Sequence, residues 1–371
     1  MLEAVKVAIV HDWLNQNGGA ERVLEELHRL FPDAPIFTSI YVPDRLPDAY
    51  RSWDIRTSFM QRLPLVRRHH QPFLPLYPAA FRAFDFSGFD VILSNSSGFC
   101  HGVLAPPGTA HINYCLTPPR FLWASDSYLQ REQIGGGAKR LLGPLLGVLR
   151  RWDVASVAGV TQFVAISAAV RERIQRLYGR DASIIYPPVD TGRFQMASQV
   201  GDFYFIAGRH VPYKRMDLAV RAFTALGLPL WVAGDGRDRA ALEAMAGPTV
   251  RFLGRVSDER LRELYATCRA FLFPGEEDFG IAPVEAMAAG RPVIAYRAGG
   301  ALDYVVEGVT GAFFDQQTPE ALMEVVLRTD TASFDPAALQ QCARRFDTSV
   351  FAEQMVALVN RVGARTAIHA R

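Results

Sequence analysis

Gly275-Glu276-Glu277-Asp278-Phe279-Gly280-Ile281-Ala282-Pro283-Val284-Glu285-Ala286-Met287-Ala288-Ala289-Gly290 follows an apolar run, Ala270 to Phe273, that reads as a strand, and its second half reads as the start of a helix. Its acids therefore fall where a parallel sheet opens its crevice. Glu277 and Glu285 straddle a glycine turn and a helix start, so one carboxylate meets a polar ligand from the loop and the other from the first helical turn. A solvated acidic turn before an ordinary amphipathic helix explains the same residues locally, because acids near helix starts are favoured anyway.

Outward from this stretch the pattern repeats. Phe203 to Ala207 reads as a strand delivering Gly208-Arg209-His210-Val211-Pro212-Tyr213-Lys214-Arg215 before a helix from Met216 to Leu226. Arg209 and Lys214 flank that loop, and the helix adds its positive end, a combination that favours a diphosphate over a plain solvated basic loop. Leu230 to Ala233 ends in Gly234-Asp235-Gly236, Val250 to Leu253 precedes Gly254-Arg255-Val256, and Asp258 is placed to cap Glu259 to Thr267. Pro292 to Tyr296 leads to Ala298-Gly299-Gly300, a backbone nest, and helical runs close the chain from Pro336 to Arg345 and from Ser349 to Val362.

The N-terminal half alternates in the same way. Val5 to Val10 reads as a buried strand and Glu21 to Leu30 as a helix; between them His11-Asp12-Trp13 leads to Gly18-Gly19, where bare amides let an anion or a sugar approach closely, or where a turn simply needs glycine angles. Strands follow at Pro35 to Tyr41, Phe89 to Ser94 (then the polar loop Asn95-Ser96-Ser97-Gly98), His111 to Cys115, Thr161 to Ile166 and Ile184 to Tyr186, with Ser167 as N-cap of a helix from Ala168 to Tyr178. Pro118-Pro119 stiffen the loop that presents Arg120, which meets a phosphate or sugar, or serves a structural salt bridge. Gly135-Gly136-Gly137 marks a mobile point. Pro187 to Phe194 is the best domain boundary.

In Arg51 to Phe86 the alternation stops, and arginines (Arg51, Arg56, Arg62, Arg67, Arg68, Arg82) stand among Trp53, Phe59, Phe73, Tyr77, Phe81 and Phe84. That mixture suits an anionic membrane surface with adjoining hydrocarbon, or an insertion that packs its aromatics on its own domain. His69-His70 has no acidic or cysteine companion at metal-ligand spacing.

Composition bounds the rest. A length of 371 residues predicts about two to three domains. The net charge of +2 argues against a nucleic-acid partner. Cys100, Cys115, Cys268 and Cys342 are too far apart for a CxxC, a disulfide framework or a zinc cluster, which makes a reducing, cytoplasmic compartment the expectation. No stretch reads as a signal peptide or spanning helix. The expected architecture is α/β: two Rossmann-like doubly wound domains, residues 1–190 and 191–345, facing one another over a cleft, with 346–371 a helix returning toward the first domain.

The central stretch resembles the E-x7-E motif of the retaining glycosyltransferases of family 4, which have the GT-B fold. Ala207-Gly208-Arg209, Pro212-Tyr213-Lys214-Arg215-Met216-Asp217, Gly234-Asp235-Gly236 and Ala298-Gly299-Gly300 resemble the family's other C-terminal signatures in their usual order. His11-Asp12-Trp13, Gly18-Gly19-Ala20-Glu21-Arg22-Val23, Tyr114-Cys115 and Thr117-Pro118-Pro119-Arg120-Phe121-Leu122-Trp123 are similar to a narrower group, the WbaZ-like mannosyltransferases of bacterial surface-polysaccharide assembly, although Leu116 stands where that group commonly has histidine.

The resemblance implies an enzyme that moves a sugar, mannose from GDP-mannose in the narrower group, to a lipid-linked saccharide or other glycan at the cytoplasmic face of the inner membrane. Arg209 and Lys214 would neutralise the donor diphosphate, Glu285 would hold the ribose, and Glu277 would meet hydroxyls of the transferred sugar. Gly208, Gly234, Val256, Gly280 and Ile281 would complete the donor site, with Gly18 and Gly19 approaching the phosphates. Asp12, Asn95, Ser96 and Arg120 are acceptor-side candidates, with Asp12 read in the first place as a strand-end acid that orients the glycine loop. No metal or cofactor is expected. The alternatives are a transferase using a UDP- or ADP-sugar on a soluble acceptor, and a nucleotide-sugar hydrolase or epimerase of the same fold.

Overall fold

The computed structural model describes residues 5–123 and 136–369. They form two compact units, Met1–Tyr186 with Ala352–Arg371, and Pro187–Phe351. Each is a doubly wound α/β unit around one parallel sheet.

In the first unit the described strands are β1 (Val7–His11), β2 (Ile36–Thr38), β3 (Ile55–Thr57), β4 (Val91–Ser96), β5 (Ala110–Cys115), β6 (Gln162–Ala165) and β7 (Ala182–Ile184), in the order β3-β2-β1-β4-β5-β6-β7. β1 is Val-Ala-Ile-Val-His and every residue is buried, as a central strand covered on both faces requires. The winding reverses between β1 and β4, where His11 pairs with Asn95 in parallel register. The helix Gly19–Leu30 covers the sheet with Val23, Leu24 and Leu27.

The second unit repeats the plan with β8 (Tyr204–Ala207), β9 (Leu230–Ala233), β10 (Val250–Gly254), β11 (Phe271–Phe273), β12 (Val293–Tyr296) and β13 (Gly311–Phe314), ordered β10-β9-β8-β11-β12-β13. Its reversal lies between β8 and β11. Ligands of such sheets bind outside the carboxyl ends of the strands at that point, and here those ends carry Gly208-Arg209 and Pro274-Gly275-Glu276-Glu277. Met216–Leu226 and Pro319–Arg328 bury Val220, Phe223, Leu322 and Val326 in one apolar cluster with Ile206, Val232 and Ile294.

Several local expectations change. Within the stretch where alternation stops, β3 adds an edge strand and Tyr77–Arg82 forms a helix. Most of its aromatics turn inward: Tyr77, Phe81 and Phe86 are fully buried and Phe73 and Phe84 pack against the same core, while Trp53 lies 3.9 Å from the Tyr50 ring. The cap of Asp258–Thr267 is Ser257, whose hydroxyl accepts the Arg260 amide at 3.2 Å, so Asp258 is the first helical residue instead. Asn95 and Ser96 belong to β4 and are buried, not to a polar loop. Ile134 and Gly135 lie outside the described residues, and Gly136 opens the helix Gly136–Ser156. Ser167 caps Ala168–Tyr178 as the sequence predicts, accepting the Val170 amide at 3.1 Å.

Candidate functional site

In the second unit the loops leaving the carboxyl ends of the strands lock onto one another through backbone. The His210 amide donates to the Asp235 carbonyl at 2.9 Å, the His210 carbonyl accepts the Asp238 amide at 3.1 Å, and the Gly234 amide donates to Gly254 at 2.7 Å. Burial holds the His210 imidazole below its ordinary pKa. On the other side, the Gly300 amide donates to the Glu277 carbonyl at 2.9 Å, and a Cβ on Gly275 would lie 2.8 Å from the Tyr213 carbonyl. These glycines let the strand-end loops share one small volume.

Lys214 and Glu277 meet in that volume. The Lys214 Nζ donates to Glu277 Oε1 at 2.6 Å, and each side chain is under one-fifth exposed, at 18% and 17%. Lys214 also lies 5.9 Å from the centre of the Tyr213 ring. Arg209, on the same loop, is exposed, and its guanidinium reaches the Tyr213 hydroxyl at 3.4 Å. Gly208 takes φ +146, which brings its backbone beside the Lys214 methylenes.

Glu277 leads into Phe279-Gly280 and the helix Ile281–Ala288. Gly280 takes φ +89, where an L side chain is strained, and an added Cβ would sit 2.5 Å from Phe273 Cζ. The Tyr304 hydroxyl donates to the Phe279 carbonyl at 2.9 Å and fixes this turn from beneath. One turn into the helix is Glu285, half-buried, whose Oε2 accepts the Tyr265 hydroxyl at 2.9 Å. Val256 is half-buried on the loop after β10. Arg209, Lys214, Glu277 and Glu285 thus all stand at the carboxyl end of one sheet, with cations on the β8 side of the reversal and acids on the β11 side. The chemistry such a set offers is neutralisation of an anion by fixed cations, and polar recognition of hydroxyls by carboxylates.

In the first unit the acceptor-side candidates are engaged in structure. Both Asp12 oxygens are taken: Oδ2 accepts the Ser97 amide at 2.7 Å, and Oδ1 accepts the Phe99 and Cys100 amides at 2.6 and 2.8 Å. Asp12 therefore shapes the loop after β4 and not the glycine loop. The Asn95 amide nitrogen serves that loop, donating to the Ala20 carbonyl at 2.9 Å and lying 3.2 Å from His11 Nδ1. Ser96 Oγ accepts from Asn113 at 2.8 Å, and Arg120 opens the short helix Arg120–Trp123.

Gly18 and Gly19 behave differently from Gly280. Gly18 is extended (φ −152), a conformation any residue adopts, and a Cβ on Gly19 would touch nothing within 4 Å. A Cβ on Gly18 would stand 3.2 Å from the buried Glu21 Oε2, a tight contact, so Gly19 is the one of the two that packing within the unit does not demand.

Sequence reasoning passes over Tyr265 and Tyr304, whose hydroxyls hold Glu285 and the Phe279 turn. Both read as core aromatics. Among the described residues no group of three or more His, Cys, Asp or Glu is arranged to hold a metal ion, and no helix is long and apolar enough to cross a membrane.

The model of glycosyltransferase family 4 matches residues 17–193, and that of glycosyl transferases group 1 matches residues 193–331. The chain belongs to the family 4 glycosyltransferases. Its two sheets are those of the GT-B fold, and HepE of Anabaena, solved with UDP and glucose, shares it with a TM-score of 0.70, at 18% identity over 96% of this chain and 100% of that one. Two curated family relatives are mannosyltransferases by name. The GDP-mannose-dependent alpha-mannosyltransferase of Mycobacterium tuberculosis is 36% identical over 32% of this chain and 33% of its own. The alpha-1,3/1,6-mannosyltransferase of Homo sapiens is 26% identical over 74% of each chain. The chain spans about half the length or less of the curated relatives it matches first, with 48% and 33% of them covered.

Proposed function

We propose that this protein is a retaining glycosyltransferase that takes a sugar from a nucleoside diphosphate and passes it to a glycan acceptor. The observation that carries the proposal is the Lys214–Glu277 contact at the reversal of the second sheet, a cation and an acid at the place where a doubly wound fold receives its ligand. Breaking the bond between an anomeric carbon and phosphate develops negative charge on the leaving diphosphate. Arg209 and Lys214 would meet that charge, with the amides about Gly280 and Ile281 beside them. Positive character grows on the sugar ring at the same moment, and Glu277 would stabilise it without becoming bonded. Glu285, held by Tyr265, would take the ribose hydroxyls. The leaving phosphate would accept the acceptor's proton as the new bond forms on the same face of the sugar.

For the donor, GDP-mannose is supported by the names of the mannosyltransferase relatives and by the narrower resemblance of the His11-Asp12-Trp13 and Thr117 to Trp123 stretches. A UDP-sugar is the second reading, favoured by the full-length structural likeness to HepE with UDP and glucose. The acceptor we propose is a lipid-linked saccharide of surface-polysaccharide assembly, met at the cytoplasmic face of a membrane. Asp12, Asn95 and Ser96 would shape its site from beneath, and Arg120 would face it.

A panel of GDP-, UDP- and ADP-sugars, assayed with membrane-extracted lipid acceptor and with soluble saccharides, separates these possibilities when product linkage is read. Transfer with retained configuration is the expected result. Free sugar or an altered nucleotide sugar formed without acceptor would instead establish a hydrolase or epimerase.

A further inference from the structure

We infer that the segment Phe59 to Leu76 of the first unit is a docking surface for an anionic lipid bilayer. The inference deepens the lipid-linked acceptor proposed above, but its test does not depend on that acceptor.

The charge of the segment is one-sided. Between Asp54 and Asp85 the chain carries Arg56, Arg62, Arg67, Arg68 and Arg82 and not one carboxylate. The arginines nearer its start are neutralised: Arg51 pairs with Asp44 and Asp48, and Arg56 with Asp54. Arg62, Arg67, Arg68 and Arg82 are exposed and make no ion pair among the described residues. Three cations inside the segment, Arg62, Arg67 and Arg68, are thus left for an outside partner, with Arg82 a few residues beyond it.

Apolar side chains stand among them. Phe59 is 45% exposed, Leu65 67% and Leu76 37%. Each immediately precedes a fully buried anchor, Met60, Val66 and Tyr77 in turn. The anchors sit in the apolar cluster beneath, so their neighbours are turned out of it by a fixed backbone. Leu63, Phe73 and Leu74 pack against the same cluster and tie the segment down between them.

Leu65 adds an independent observation. Its φ is +64, one of two non-glycine residues among the described ones with positive φ, and its carbonyl accepts the amides of Arg68 and His69, both at 2.9 Å. Glycine would adopt that turn without strain. A leucine held there, mostly in solvent, gives the fold nothing, and backbone strain of this kind collects where a ligand is met.

Cations interleaved with outward apolar side chains match a surface of anionic headgroups over hydrocarbon. A nucleic acid or an acidic protein would use the arginines and leave Leu65 in water. The segment is also braced against the loop that follows β1: the His70 ring lies 5.1 Å from the Trp13 ring, and His70 Nδ1 is 2.9 Å from the Tyr77 hydroxyl. A docked bilayer would therefore lie beside the end of the sheet that carries Asp12.

The test is co-sedimentation of the full chain with vesicles of phosphatidylcholine alone and of phosphatidylcholine mixed equally with phosphatidylglycerol. Binding to the mixed vesicles only is expected, with roughly a tenfold loss or more in the double variant Arg67→Glu, Arg68→Glu. Leu65→Gly is expected to melt at a higher temperature than wild type, because the left-handed turn is relieved, and yet to bind the mixed vesicles several-fold more weakly. No sedimentation with mixed vesicles overturns the inference. So does wild-type binding by Leu65→Gly, which would mark the arginines as a site for an acidic partner that needs no hydrocarbon. Transfer to a soluble saccharide, measured without vesicles, is the separate readout of the proposed enzyme: its absence alongside vesicle binding would remove the glycosyl-transfer reading and leave the lipid surface standing.

Discussion

Lys214 Nζ and Glu277 Oε1 lie 2.6 Å apart, although the residues are 63 positions apart in the chain. The cation of the proposed site is thus held by the site's own acid. A diphosphate sugar has to draw Lys214 toward phosphate and leave Glu277 for the sugar, so the two residues act as a unit. Lys214→Ala and Glu277→Ala are each expected to lower kcat/KM by roughly a hundredfold to a thousandfold, about 3 kcal/mol of transition-state stabilisation. The double variant is expected to lose less than the product of the two. Steady-state kinetics on the three purified variants decides this, and wild-type turnover in either single variant would remove the site from consideration.

Tyr265 holds Glu285 Oε2 at 2.9 Å. Tyr265→Phe removes the hydroxyl but leaves the ring in the core, so donor KM should rise several-fold, about 1 kcal/mol, with kcat little changed. Glu285→Ala should weaken donor use far more. Equal effects from the two would mean that Tyr265 does more than orient the carboxylate.

Gly280→Ala forces an L residue to φ +89 with its Cβ 2.5 Å from Phe273 Cζ. A destabilisation of about 2 kcal/mol or more is expected, read by thermal melting, together with loss of activity. Gly19→Ala is the contrasting case. Its Cβ meets no protein atom within 4 Å, so stability should hold while donor turnover falls, if a ligand approaches those amides.

Acid sensitivity should come in part from His111. Burial first, then the neighbouring His101, lowers its pKa from 6.5 to about 3. Below pH 6.5 the unfolded chain takes up a proton that the folded chain refuses, so stability falls as pH drops toward 3. The slope from this group alone is about 1 kcal/mol per pH unit. His111→Asn should flatten the wild-type decline between pH 6.5 and 5 in denaturant titrations; an unchanged slope would show that His111 carries its proton in the folded state.

Activity is expected to persist in excess chelator, because Arg209 and Lys214 are placed to meet the leaving diphosphate. An assay lost on chelation and restored only by a divalent ion would reverse that expectation.

Much of the second unit can be read directly from the chain. Met216–Leu226 and Leu230–Ala233 have the predicted bounds, because a buried parallel strand followed by an amphipathic helix writes a clear change of period. β3 escapes notice because three residues at a sheet edge, Ile-Arg-Thr, bury too little to show a pattern. Asn95 and Ser96 look like loop because they are polar, yet β4 carries a buried polar face in which Asn113 bridges Ser94 and Ser96, both at 2.8 Å. The Tyr265–Glu285 bond joins two helices, and no local spacing announces it. The aromatic and apolar residues of Arg51 to Phe86 divide between core and surface one position at a time, as exposed Phe59 beside buried Met60 shows. Such a division has no period for a sequence to display.

The last helix, Thr348–His369, belongs from Ala352 onward to the first unit, where Gly363 lies against Val5 and Val91. A protein made from its N-terminus therefore completes the first sheet early and then synthesises an entire second unit before the piece that covers Val5 and Val91 emerges. A fragment stopped at Tyr186 leaves that apolar floor bare. The first half is thus best isolated by supplying residues 348–371 as a separate peptide or by joining them ahead of the original start.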